Sequence, residues 1–196
     1  MPKRKILIIH GISADSRDNW YVNVGKHFSD AGHDVLIPNF PVKHAPNLNK
    51  WSNWAMAEIA KKGWTIDENL CLIGHSTGSL AVLRFTERLP AGAVIGPSIL
   101  VACFPVAFLN PRFPTLVART PRPGLITPKL PRVLAVHSTN DWRVPIAQNS
   151  AWLQKNLNAE VFTIGDAGHV ITRHGWQDWS DELYEKADKF LADDDK

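Results

Sequence analysis

Short apolar runs alternate along the chain with longer stretches in which apolar residues recur every three or four positions. The runs are residues 5–9, 34–37, 69–73, 98–102, 132–137 and 160–164. They are nearly continuous Ile, Leu and Val rather than alternating apolar and polar. Such runs predict strands buried on both faces, as in a parallel sheet covered by helices. Helical periodicity falls between them, at 19–31, 49–62, 77–89, 145–157 and 176–191. Pro145 suits a helix start, where its missing N–H costs nothing. Gly32 and Gly63 follow the first two helices as C-terminal caps. Six strands with intervening helices predict an α/β fold: a three-layer sandwich with a mostly parallel six-stranded sheet, helices on both faces and right-handed crossovers.

One segment breaks this rhythm. Residues 104–131 hold seven of the fourteen prolines, together with Arg112, Arg119, Arg122 and Lys129 and no acidic residue. Prolines at that density forbid a long helix or a central strand. The segment reads as a lid or pocket wall, with a solvated excursion as the plainer alternative. The acidic end, 193–196, reads as a frayed tail.

Composition narrows the class. With 196 residues, 44% hydrophobic and 21% charged, the chain is long enough for one substantial core, and the expectation is a single domain over 1–196. A formal charge of +3 is too small to point to nucleic acid or an anionic membrane. No apolar run approaches the ~20 residues of a membrane span. The run after Met1-Pro2-Lys3-Arg4-Lys5 is too short for a signal-peptide core. Cys71 and Cys103 lie in or beside strand-like runs and read as buried reduced thiols, which fits a cytoplasmic chain.

The chemistry concentrates at three places. Gly74-His75-Ser76-Thr77-Gly78 follows a predicted strand and opens a predicted helix. That is the context of a nucleophile elbow, in which Ser76 projects from a sharp, strained turn. A serine needs a base, and the base needs an orienting acid; in this topology they follow in the order Ser, Asp or Glu, His. Asp141 lies just beyond the fifth strand, and His169 just beyond the sixth. Both loops fall at the carboxyl edge of the sheet, where Ser76 lies and where ligands collect in open α/β folds. His174 is the rival base and Asp166 the rival acid. His27 and His33 read as surface residues, and His137 as a strand-end residue able to line the site. The amides of Thr77 and Ile12 are the candidate oxyanion donors, with Gly11 letting the chain turn close to the substrate. Gly11, His75 and Trp142 are further candidates for substrate contact, and Trp142 with Phe104, Phe108 and Phe113 for an apolar acyl pocket, with core or lid packing of these aromatics as the equal alternative. The basic residues of 104–131 suit an anionic substrate group, with a merely solubilising role as the plainer alternative.

Taken together, these residues resemble a known family. Ile8-Ile9-His10-Gly11, Asn19-Trp20, Pro38-Asn39-Phe40-Pro41, Trp51, Ile73-Gly74-His75-Ser76-Thr77-Gly78, Ile99-Leu100-Val101, Ser138 with Asp141, Val144 and Pro145, and Gly168-His169 look like the YdeN-like small serine hydrolases, which also include retinoblastoma-binding protein 9. The resemblance covers nearly the whole chain. It implies a compact α/β-hydrolase without a large cap domain, a Ser76–Asp141–His169 triad, and no metal or organic cofactor. Thr77 stands where the family more often has Leu, which implies a more polar pocket, and Asn140 where a second acidic residue is common. Neither Cys71 nor Cys103 has the surround of an L-x-C-x-E partner motif, so that binding role does not transfer.

The expected function is hydrolysis of a small carboxylic ester or related acyl compound. Thioester or peptide hydrolysis, acyl transfer, and a non-catalytic binding protein on the same fold are the alternatives. The expected partner is a small acyl substrate. Nucleotide binding lacks its phosphate cradle: neither G-x-G-x-x-G after the first strand nor G-x-x-x-x-G-K-[ST] is present. There is no C-x-x-C or H-E-x-x-H, and His169 and His174 are poorly spaced for one helix face, so no metal site is expected.

Overall fold

Successive strand residues face opposite layers, and both layers are apolar. In the first strand, β1 (Lys5–Ile9), Ile6 and Ile8 enter one core while Leu7 and Ile9 enter the other. The same division recurs in β3 (Leu70–His75), β4 (Ser98–Val101) and β5 (Val133–Ser138), which explains their unbroken apolar runs. The structure, a computed structural model, describes residues 3–41, 44, 46–109 and 120–192. One core is closed by α1 (Tyr21–Asp30) and α6 (Asp181–Ala192). The other is closed by α2 (Leu48–Lys61), α3 (Thr77–Arg88), the short α4 (Pro123–Ile126) and α5 (Ile146–Leu157).

With β2 (Asp34–Leu36) and β6 (Glu160–Ile164), the sheet has the order β2-β1-β3-β4-β5-β6. Every pairing is parallel, so the expected sandwich is present and the sheet is more uniform than "mostly parallel". The chain leaves β1 for the edge strand β2 and then crosses back to β3. This reversal opens a crevice at the carboxyl ends of β1 and β3. The pairing of Ile9 with Gly74 sets the exit of β1 beside the turn that carries Ser76.

Several expectations require correction. The last helix starts at Asp181 rather than 176, because Ser180 receives the Leu183 N–H and Asp181 and Glu182 supply the acidic first turn. Trp179, ahead of that helix, fills the core against Trp20 and Phe28. His33 is buried rather than on the surface, and its Nδ1 accepts the Arg4 N–H at 3.1 Å. Within 104–131, the part after residue 119 is not a lid. Ile126 and Leu130 are buried, and Lys129 Nζ donates to the carbonyls of Glu87 and Leu89 at the end of α3. Residues 110–119, with Arg112, Phe113 and Arg119, lie outside the described residues, as does the tail 193–196. Cys71 and Cys103 are buried and form no disulfide among the described residues.

The turn between β3 and α3 admits no larger residue at its glycines. A Cβ on Gly78 would stand 2.1 Å from the Ile9 carbonyl oxygen, and one on Gly74 2.6 Å from Ser79 Cα. Both obstacles are backbone, so no side chain can swing aside. Gly78→Ala is expected to lower the unfolding free energy by about 3 kcal/mol, read as a lower urea midpoint at neutral pH.

Candidate active site

Ser76 is the pivot of that turn. Its φ of 54° and ψ of −117° are a strained conformation for a residue with a side chain. The surrounding bonds hold it there. Its N–H donates to the Val101 carbonyl at 2.8 Å, and the Ser79 hydroxyl bridges the carbonyls of Gly74 and Val101. The Ser76 hydroxyl then meets His169 Nε2 at 2.8 Å. His169 Nδ1 lies 2.7 Å from Asp141 Oδ2. Asp141 Oδ1 accepts the N–H groups of Arg143 and Val144, at 2.9 and 3.2 Å. Burial alone would push the Asp141 carboxyl up. The hydrogen bond and charge of His169 and the two backbone donors outweigh it, and hold the group below the ordinary carboxylate value. Three side chains distant in sequence thus form one continuous relay. The arrangement gives a serine hydroxyl a base, and the base an acceptor that fixes its tautomer.

The His169 loop is held from two sides. Asn140, directly before Asp141, accepts the Gly168 N–H at 2.7 Å and the Ser138 hydroxyl at 2.8 Å. The place where a second acid is common thus acts as a bracket between the two loops. On the other side, the His169 N–H donates to His174 Nδ1 at 2.9 Å. His174 therefore supports His169 rather than replacing it. It also requires Gly168, where a Cβ would lie 2.4 Å from the His174 ring. Asp166, the rival acid, is exposed and at positive φ, with its N–H on the Thr139 hydroxyl, and it is Asp141 that meets His169 Nδ1.

His75 joins this loop to the start of α1. The Tyr21 hydroxyl meets His75 Nδ1 at 2.7 Å, and His75 Nε2 donates to the His169 carbonyl at 3.0 Å. The Tyr21 oxygen in turn accepts from the Gly11 N–H and from Asn19. Burial, reinforced by the charge of His169, pushes His75 down to about 3, so the ring is neutral. It borders the cleft, but both its nitrogens are engaged within the protein. The Asn19-Trp20 pair completes the clamp: Asn19 accepts the Thr172 N–H, and Trp20 donates to the Val170 carbonyl.

The pairing of Ile9 with Gly74 brings the loop that carries Ile12, one oxyanion candidate, toward the turn that carries Thr77, the other. Gly11 spends its N–H on Tyr21, whereas the N–H groups of Ile12 and Thr77 donate to no described residue. His10 fixes this loop: its Nε2 accepts the Phe40 N–H, and its ring packs edge-on against Phe40 and Trp51. The Thr77 side chain does not make the pocket polar, because its hydroxyl is buried without a partner among the described residues.

An open cleft of about 680 Å³ leads to Ser76 and His169, with Gly11, Ile12 and Phe108 in its wall. Trp142 is not part of that wall. Its side chain is 61% exposed, and the Arg143 guanidinium lies over its ring. Phe104 is buried in the core and stacks on Phe108, which alone of the two reaches the cleft. His137 is buried on β5 and does not line the cleft. Sequence reading missed the cleft residues Tyr21, Arg17, Arg143 and Arg173. The Asn19-Trp20 motif was the one signal that led toward the clamp.

Fold and relay together define a class, the α/β serine hydrolases. The sequence profile described as "Serine hydrolase" matches residues 6–185, and the chain belongs to that family. It is similar to YdeN of Bacillus subtilis (strain 168), at 33% identity over 101 residues, which span 52% of this chain and 51% of that protein. The crystal structure of the B. subtilis ydeN gene product superposes with a TM-score of 0.84 at 25% identity, covering 97% of this chain and 100% of that one. The esterase RhEst1 from Rhodococcus sp. shares the fold, with a TM-score of 0.68 at 13% identity over 97% of this chain and 90% of its own.

Proposed function

We propose that this chain hydrolyses small carboxylic esters or related acyl compounds through an acyl-enzyme on Ser76. The observation that carries the reading is the unbroken Ser76–His169–Asp141 relay at 2.8 and 2.7 Å, set on a strained turn. Neutral His169 holds its proton on Nδ1, toward Asp141, and accepts the Ser76 hydroxyl at Nε2. Ser76 Oγ attacks the substrate carbonyl as its proton passes to Nε2. The oxyanion of the tetrahedral intermediate is met by the Ile12 and Thr77 N–H groups. Collapse expels the leaving group, which takes the proton from Nε2. Water repeats the sequence on the acyl-enzyme and releases the acid.

A non-catalytic role leaves the strain at Ser76 without a purpose, since a relaxed turn would join β3 to α3 at lower cost. The test is a serine-directed fluorophosphonate. One probe per chain is expected, mapped to the peptide that holds Ser76 and absent from Ser76→Ala. Labelling elsewhere, or none in a folded sample, overturns the reading.

A further inference from the structure

The described arginines divide into two groups. Arg4, Arg84, Arg88, Arg122 and Arg132 each have a partner: backbone carbonyls for Arg4, Glu87 for Arg84 and Arg122, Asn53 for Arg88, and the Phe190 ring for Arg132. Arg17, Arg143 and Arg173 have no side-chain hydrogen bond or ion pair to any described residue, and all three line the cleft that holds Ser76 and His169. Among the described residues Asp18 is the only carboxylate in the same wall, and it accepts the Asp15 N–H.

Arg143 is the most constrained of the three. It follows Asp141 by two residues and is half-buried, its guanidinium rests on the Trp142 ring at 4.7 Å, and its Nε is buried without a partner. Arg173 adds a like charge that acts on it, and both charges reach His174, the residue behind His169. The nearest relieving carboxylate, Asp141, is occupied by His169 and by two backbone N–H groups. A guanidinium with a buried, unpartnered Nε, and a second arginine lining the same open cleft, form an arrangement that an anionic oxygen group completes. Its planar fork matches a carboxylate or a phosphate. The basic residues of 104–131 do not share this role where they are described: Arg122 and Lys129 serve the far end of α3.

We propose that the cleft selects acyl substrates that carry an anionic oxygen group, held by Arg143 and Arg173 on the His169 side of the scissile bond. This rests on the hydrolase reading above.

The experiment compares three 4-nitrophenyl esters of similar length: the adipate monoester, the 6-phosphonooxyhexanoate, and the neutral methyl adipate diester. At least one anionic ester is expected to exceed the neutral one in kcat/KM by about 10- to 100-fold at low ionic strength, as charge-assisted hydrogen bonds imply. The larger of the two ratios names carboxylate or phosphate as the group. The ratio should fall about tenfold in Arg143→Gln and in Arg173→Gln, and should fall as salt is added. Because it is taken within each variant, a general loss of activity cancels. Arg88→Gln, at the opposite end of α3, should leave the ratio unchanged. Equal rates for all three esters, with Ser76 labelled by the fluorophosphonate, overturn the anionic selection alone. A ratio insensitive to both cleft arginines, or equally sensitive to Arg88, also overturns it. No turnover of any ester and no labelling overturn the hydrolase reading, and the proposal with it.

Discussion

Asp141→Asn is expected to lower kcat on an activated ester by about 10⁴-fold with the fold intact. The cause lies in what surrounds the carboxylate. One oxygen accepts two backbone N–H groups, from Arg143 and Val144, while the other accepts the proton on His169 Nδ1. An asparagine has a single acceptor oxygen. The two backbone donors claim it, which turns the amide NH₂ toward Nδ1. His169 then carries its proton on Nε2 and faces the Ser76 hydroxyl as a donor instead of an acceptor. The base is lost through its tautomer, not through its position. Ser76→Ala sets the floor, with a loss of about 10⁶-fold. A kcat for Asp141→Asn within tenfold of the parent, at an unchanged melting temperature, would remove Asp141 from the relay.

The relay was legible in the sequence because each member sits at the end of a strand. Continuous apolar runs fixed where the strands end, and a parallel sheet gathers those ends at one edge. The side chains that surround the relay follow a different logic. Trp142 and Arg143 are neighbours, and which of them faces the cleft depends on the turn made as Asp141 captures the Arg143 and Val144 N–H groups. No periodicity encodes that choice, so the aromatic residue was expected in the pocket and the arginine was found there. His174 posed a similar problem. Five residues from His169, it qualified as a rival base, yet the left-handed Gly168 folds it back to receive the His169 N–H. Tyr21 and His75 come together only through the α1-to-β3 packing, which joins residues 54 apart in sequence. The last helix failed for a local reason. Trp176 and Trp179 have helical spacing, but the Ser180 cap starts the helix after them.

Between pH 7 and pH 4 the protein is expected to lose about 6 kcal/mol of stability, enough to unfold a chain of ordinary stability. Two buried histidines account for this, each 2% exposed. Burial, reinforced by the His169 charge, places His75 at about 3. Burial places His137 at about 4 against the opposing pull of Asp141, and its Nε2 has no partner among the described residues. Unfolded, both titrate near 6.5. As the pH falls below 6.5, the unfolded chain takes up two protons that the folded chain refuses until about pH 4 and pH 3. The unfolded state therefore binds more protons throughout that window, and unfolding becomes more favourable with every step down. The stabilisation is complete above 6.5 and is lost on acidification, at about 1.4 kcal/mol per pH unit for each histidine. Asp141 adds a loss of the same sign only nearer pH 4 and below, since its folded value lies under the ordinary 3.8. The check is the urea midpoint at successive pH values. His137→Leu removes one of the two groups, together with its unsatisfied nitrogen, and should roughly halve the slope between pH 6.5 and 4.5. A midpoint constant over that range in the parent, or a slope unchanged by the substitution, would mean that these imidazoles reach solvent and titrate freely in the folded protein.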